Sequence, residues 1–354
     1  VRRAGFSSRL AAAGQAAQRL LRRLAEQTGR PPRREQPWEK AYDPAATEDD
    51  IQSCFRLLLG RPPNREEWTG HASRVGQDLA GVVASYVASL EFSRRGLLSN
   101  DHMADLALVD GPGFRIYAAS DDAAVGRHVR GGDYEPEVTA VFRRLLRPGM
   151  GVIDLGANIG WFTMLSASLV GASGHVLAVE PNPRNARMLE ASRRANGFSN
   201  VTLSQTAAGP RTGLLVLHRS HSNGTTSAAP DAAAALLSAE TVACVRPDAL
   251  VPEGRRIDLI KADVEGAEHL ALLGCTEVIR RDRPTIVSEF SPDLMPGISG
   301  IDGPGYLDWL AAQGYRLSAV QPDGSLLAAP TAEAVMDVYR ARGADHIDIV
   351  ASPA

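Results

Sequence analysis

The sequence predicts an α/β protein with a mostly parallel sheet, antiparallel closing strands and a small all-helical region ahead of it. Three observations carry this. From about residue 150 onward, short apolar runs alternate with helix-length segments, the pattern of parallel strands joined by crossover helices. Val152–Phe162, VIDLGANIGWF, reads as a buried strand, a tight turn and the first turn of a helix. Residues 47–99, by contrast, carry helix caps and stops in quick succession.

In chain order, residues 1–29 read as one amphipathic helix. Leu10, Leu20, Leu21 and Leu24 stand among alanines, with Arg9, Arg19, Arg22 and Arg23 beside them, and Pro31-Pro32 prevents continuation. Such a helix suits peripheral contact with an anionic membrane or docking to a partner; a solvated leader is the alternative. Pro and charge mark 30–46 as a linker, so residues 1–46 form a basic helix and linker, 47–100 a small helical domain and 101–354 the main domain. In the helical domain Thr47 with Asp50 resembles an N-capping pair for a helix Asp49–Leu59, stopped by Gly60. Pro62-Pro63-Asn64 opens a second segment, and a third helix runs from Leu79 to Leu90, closed by Glu91-Phe92.

The main domain begins with a strand Phe114–Ala118, then a helix Glu137–Leu146, with Pro148-Gly149 turning into the central strand. After the glycine turn come helix Trp161–Leu169, strand His175–Val179, helix Asn182–Asn196, strand Val201–Gln205 and a hairpin-like strand Leu214–His218. His221–Asp231, HSNGTTSAAPD, reads as a polar covering loop. Strands Thr241–Val245 and Ile257–Lys261, helix Ala267–Arg280, strand Thr285–Ser288, helix Tyr306–Ala312, strand Tyr315–Val320, helix Ala332–Arg342 and strand His346–Val350 complete the order. Antiparallel pairing enters with the closing strands.

Composition narrows the function classes. Hydrophobic content of 44% and charged content of 22% are those of an ordinary globular chain. The net charge of −3 gives no general attraction to nucleic acid, although residues 1–40 carry +7 and the remainder −10. Cys54, Cys244 and Cys275 have neither metal spacing nor a disulfide framework, which fits a reducing, cytoplasmic setting. No stretch has the length of a transmembrane helix, and the arginines at the start precede no signal-peptide core.

The chemistry concentrates at strand ends, where open α/β sheets bind ligands. In the first turn Gly156 and Gly160 allow a sharp bend and a close ligand, and Asn158 tolerates positive φ. Glu180 ends the next strand, about twenty residues on, where a carboxylate receives ribose hydroxyls. The spacing Asp-x-Gly-x-Asn-x-Gly departs from the G-x-G-x-x-G of NAD enzymes. A carboxylate there suits the cationic donor S-adenosylmethionine (SAM) better than a pyrophosphate. Asp154, Glu180, Asp263 and Glu289 all fall at one rim, and a sulfonium and an amino group would give them positive partners. Lys261 and Asp263 lie two apart on one face of their strand, as an ion pair or as working groups.

VIDLGANIGWF, AVEPNP, the Asn-Gly-x-x-Asn-Val stretch and IDLIKADVEGAE, in this order, resemble the FkbM-type SAM-dependent methyltransferases. GGDYEPE matches the segment that leads into that domain. The resemblance covers roughly residues 125–290. It implies a Rossmann-like class I methyltransferase sheet and methyl transfer to an oxygen of a sugar, glycan or secondary-metabolite acceptor, leaving S-adenosylhomocysteine (SAH). By that likeness Tyr134, Glu135, Asp154, Gly156, Asn158, Gly160, Glu180, Asn182 and the Ala207 region would surround SAM. CFRLLLGRPPNREEW with VVASYVASLEFSRR resembles a bacterial helical domain of unknown function, with an "RxLLGRxPD" turn and a terminal "SxEF".

For the acceptor proton, Asp263, Lys261 if neutral, and His221 are the candidate bases. A divalent cation between Asp263 and Glu289 is a second route to acidifying the hydroxyl. Two other function classes stay open: a non-catalytic SAM-binding or glycan-associated scaffold, and an NAD-dependent oxidoreductase. The expected partners are a small-molecule or glycan acceptor and a second copy of the chain, with no nucleic acid.

Overall fold

The computed structural model describes residues 43–95, 106–119, 122, 125–132, 134–220, 223–228, 236–237 and 239–354. The basic helix expected at 1–29 and His221 lie outside the described residues. The chain divides into two units, residues 1–99 and 100–354. Among the described residues no helix is long and apolar enough to cross a membrane.

In the first unit, α1 (Glu48–Ser53) starts at a reciprocal Thr47–Asp50 capping box and runs into a π-helical segment, Cys54–Leu59. Gly60, at φ +71°, ends it, as its position predicts. A second box, Asn64 with Glu67, opens α2 (Arg65–Ala72). The predicted helix 79–90 is two helices, α3 (Leu79–Val87) and α4 (Leu90–Arg94). Ser89 causes the break, because its side chain accepts the Phe92 N–H and starts a new helix. Ile51, Phe55, Val82, Tyr86 and Phe92 form the core. Arg61 explains why the turn motif and the terminal "SxEF" occur together. Its guanidinium pairs with Glu91 at 2.5 Å and Glu67 at 2.8 Å, tying the turn to α4 and α2.

The second unit opens with a hairpin of β1 (Leu106–Asp110) and β2 (Arg115–Ala119), followed by α5 (Gly126–Gly131) and α6 (Pro136–Leu145). Then come β3 (Gly151–Leu155), α7 (Trp161–Val170), β4 (His175–Val179), α8 (Pro183–Ala195) and β5 (Val201–Ser204). A side sheet is built from β6 (Ala207–Ala208), β7 (Gly213–Ser220), β8 (Asn223–Ala228) and β9 (Thr241–Val245), in the order β6-β9-β7-β8. The main sheet resumes with β10 (Leu259–Ala262), α9 (Glu268–Leu273), α10 (Thr276–Asp282), β11 (Thr285–Phe290), α11 (Met295–Ile298) and α12 (Gly303–Ala312). It ends with β12 (Tyr315–Val320), β13 (Leu326–Ala328), α13 (Ala332–Arg342) and β14 (Ile347–Pro353).

The main sheet has eight strands in the order β13-β12-β14-β11-β10-β3-β4-β5. Strands β11, β10, β3, β4 and β5 pair in parallel, and β14 enters antiparallel between β11 and β12. All five residues of β3 are buried, as a central parallel strand requires. Alternate residues feed opposite faces. Val152, Val176 and Ala178 join a cluster with Phe142, Phe162 and Met164, while Ile153, Leu177 and Val179 join one with Phe290, Tyr306 and Leu310. The fold is the Rossmann-like α/β arrangement with antiparallel closing strands that the sequence predicts.

Two local readings change. The covering loop at 221–231 contains a strand: Asn223–Ala228 is β8, its backbone paired to β7 in a register that sets Leu217 opposite Thr226. The predicted helix 267–280 is divided into α9 and α10 at Gly274-Cys275. There the backbone passes so close to Gly209 that a Cβ on Gly274 would lie 2.3 Å from its carbonyl oxygen.

Candidate active site

The site lies where the chain reverses its direction of winding across the sheet. From β3 the chain moves out to β4 and β5, then returns to β10 on the other side of β3. The carboxyl ends of β3 and β10 therefore border a crevice. The β3–α7 loop is held by its own packing. Gly156 sits at φ +76°, and a Cβ there would lie 1.8 Å from the Asp263 carbonyl oxygen. Gly160, at φ +101°, faces Leu189, whose Cγ would be 2.8 Å from an added Cβ. These glycines thus serve the contact between chain segments first, and room for a ligand second. Asn158 has the positive φ predicted for it, +50°.

Glu180 fastens this loop to the end of β4. Its carboxylate accepts the Asn158 N–H at 2.8 Å and the Asn182 N–H at 2.7 Å. Burial raises its pKa to about 7, against the lowering effect of those two bonds. Asn182 in turn caps α8 by accepting the Arg184 N–H at 3.0 Å. Gly156, Asn158, Glu180, Asn182, Asn185, Ala207 and Ala208 line a first cavity, and the facing pair Leu217 and Thr226 of the β7–β8 hairpin completes its wall.

A second cavity lies beside it, lined by Tyr134, Glu135, Glu137, Glu289, His128 and His346. Asn158, Asp263 and Glu265 belong to both. Among the described residues four non-glycine residues have positive φ, and three of them, Glu135 (+40°), Asn158 (+50°) and Glu265 (+55°), line these cavities. Unfavourable backbone is concentrated where ligands would meet.

Beneath the shared wall lies a buried charge relay. Lys261 Nζ donates to Asp263 Oδ2 at 2.7 Å and lies 3.9 Å from Asp154 Oδ1, over the Phe162 ring. Thr163 Oγ1 donates to the other Asp154 oxygen at 2.5 Å. Neighbouring strands in register, Lys261 opposite Asp154, bring these groups together. Burial works against the ammonium charge, but Asp263, Asp154 and Glu135 outweigh it and hold the Lys261 pKa above its ordinary value. Lys261 is therefore charged at neutral pH, which removes it as a base. Asp154 is fully buried and lines neither cavity; it is the counter-charge of Lys261. Replacing Lys261 with Met should destabilise the unit by about 3–5 kcal/mol, since it leaves a buried carboxylate unpaired. Chemical denaturation would measure this, and a loss under 1 kcal/mol would contradict the relay.

Carboxylates crowd the second cavity. Burial, then the proximity of Asp263, raises the pKa of Glu135 to about 8 and that of Glu289 well above the ordinary range. The same two causes raise Glu265, and lift Asp348 to about 7. Glu289 and Asp348 face each other across β11 and β14. The metal expected between Asp263 and Glu289 is not supported. Among the described residues no group of three or more His, Cys, Asp or Glu side chains could hold one. Lys261 already neutralises Asp263, and Ser291 Oγ donates to Glu289 at 2.6 Å.

The structure thus brings together Tyr134, Glu135, Gly156, Asn158, Glu180, Asn182, Ala207, Asp263 and Glu289, and sets Asp154, Gly160 and Lys261 in supporting positions. Glu265, His128, His346, Asn185 and Thr226 join the lining without having been singled out as site residues. Asp348 carried a signal in the sequence: a lone carboxylate in the otherwise apolar strand IDIVAS.

Residues 154–317 match the family model described as the methyltransferase FkbM domain. Ribosomal RNA large subunit methyltransferase E of Sorangium cellulosum is 52% identical over 40 residues, 11% of this chain and 19% of that protein. Methyltransferase FkbM from Methylobacillus flagellatus aligns at 14% identity with a TM-score of 0.38, covering 84% of this chain and 58% of its own. A SAM-dependent O-methyltransferase from Thermotoga maritima aligns at 14% identity and 0.34, covering 62% and 66%. This chain spans less than two thirds of each of the three. Residues 154–317, a little under half of the chain, are thus the part that matches the methyltransferase FkbM domain.

Proposed function

We propose that this domain transfers the methyl group of SAM to a hydroxyl of a sugar, glycan or secondary-metabolite acceptor. The observation that carries the reading is the pair of cavities meeting at Asp263, the first for the nucleoside of the donor and the second for its amino-acid end and the acceptor. The donor set fits SAM. Glu180 and Asn182 present acceptor oxygens suited to ribose hydroxyls, the Ala207 region offers a small apolar wall for the base, and Glu135 with Tyr134 suits the amino group. Burial makes Glu180 and Glu135 hold protons to unusually high pH in the ligand-free protein, and hydroxyl donors at the first and an ammonium at the second would favour the ionised forms.

When bound, SAM supplies a methyl carbon whose bond to sulfur breaks as the acceptor oxygen bonds to it, the electron pair staying on sulfur. The chain's part is to align the acceptor and take its proton. Fixing reactants in line supplies much of the barrier reduction. Asp263, on the shared wall, takes the hydroxyl proton, and Lys261 fixes the orientation of the accepting carboxylate. Residues 47–100 act as a packing or recruiting module, 1–46 as a basic linker, and the setting is cytoplasmic.

Calorimetry tests this with a defined sign. Glu180 and Glu135 bind protons more tightly folded than unfolded, so the ligand-free protein loses stability as pH rises from about 4.5 through 8. Ribose hydroxyls donating to Glu180 and an ammonium beside Glu135 favour the ionised forms. SAM affinity should therefore rise about tenfold between pH 6.5 and 8.5, with proton release seen in buffers of different ionisation enthalpy. No heat with either SAM or SAH at pH 8 would end the proposal.

A further inference from the structure

Asp263 and Glu265, which both cavities share, stand on the loop 263–267, and its shape depends on a side chain that lines neither cavity. Glu268 is fully buried, and its Oε1 accepts two N–H groups, Val264 at 2.9 Å and Gly266 at 3.1 Å. Both donors lie upstream of α9, so the carboxylate holds the loop as well as standing at the start of the helix. Between the two donors stands Glu265 at φ +55°, and Gly266 follows at φ +90°. A loop with two successive left-handed residues needs an outside hold to keep that shape. The Ser299 hydroxyl, donating to the Gly266 carbonyl, fixes the same residue from the opposite side. The second Glu268 oxygen, Oε2, is buried without a hydrogen-bond partner.

We infer that Glu268 is a positioning residue, whose carboxylate fixes the 263–267 loop and thereby the placing of Asp263 and Glu265 in both cavities. The inference rests on reading the first cavity as the SAM site. Its structural cost is visible: burial raises the Glu268 pKa to about 7, and a buried carboxyl with one oxygen unbonded is a poor choice for stability alone. When ionised, the carboxylate nevertheless grips two amides more firmly than a neutral acceptor.

The experiment compares wild type, Glu268→Gln and Glu268→Ala by SAH calorimetry, thermal unfolding and amide exchange at Val264 and Gly266. Glu268→Gln keeps a carbonyl acceptor and cannot ionise. Its SAH affinity should fall about three- to tenfold with a Tm equal to or above wild type. Glu268→Ala should lose about thirtyfold or more in affinity and expose both amides to fast exchange. Equal SAH affinity in all three proteins would overturn the inference, as would a Tm order that alone accounts for the affinities. The two readings fail differently. If wild type binds no SAH while both amides still exchange faster in Glu268→Ala, the loop assignment stands and the proposed function falls.

Discussion

Asp263→Asn should reduce methyl transfer by about 10²–10⁴, the usual worth of a general base, while SAH affinity stays within a few-fold. The substitution is isosteric, and Lys261 keeps Asp154 as its remaining counter-charge. What is lost is the shared-wall carboxylate proposed to take the acceptor proton. The change has a second signature. Asp263 is the main charge raising the pKa of Glu135, Glu265, Glu289 and Asp348, so all four should ionise at lower pH in the variant. Carboxyl carbon NMR titrations would follow that shift without any acceptor. Turnover within threefold of wild type would exclude Asp263 as the base.

Gly156→Ala should damage folding and binding together. The residue sits at φ +76°, where an alanine costs about 1–2 kcal/mol. Its Cβ would also lie 1.8 Å from the Asp263 carbonyl oxygen, backbone that cannot swing aside as a side chain does. The β3 and β10 loops must part, at about 1–3 kcal/mol more. At about 2–4 °C per kcal/mol for a unit of this size, the Tm should fall by about 5–15 °C, with SAH binding lost. Gly254→Ala is the control: φ is +75° there, but nothing lies within 4 Å of the added carbon. It should show the conformational cost alone. Equal Tm values for the two variants would mean that the close approach carries no strain.

The readable features of this chain are those set by neighbours in sequence. β4, β9, β12 and α13 lie where their apolar periods and caps place them. Glu180 and the glycine turn meet as their spacing requires, because a strand, a helix and a strand leave little freedom between them. The features that escape a local reading depend on partners far along the chain. HSNGTTS has the composition of a loop, and only pairing with β7 makes Asn223–Ala228 a strand. Asp154 reads as a ligand-facing carboxylate until register sets Lys261 opposite it. The break at Gly274 depends on Gly209, sixty-five positions upstream. His346 reaches the second cavity from the N-terminal end of β14, whose antiparallel insertion beside β11 turns that end toward the site.

That insertion bears on how the unit assembles. β12 and β13 precede β14 in the chain yet lie outside it in the sheet, and β12 meets the remainder of the sheet only through β14. The outer pair can join the hydrogen bonding of the sheet only once the segment 347–353 slots in between. Sheet closure is then a late event that joins distant parts of the polypeptide, which favours slow folding and leaves β11 with a bare, association-prone edge until it happens.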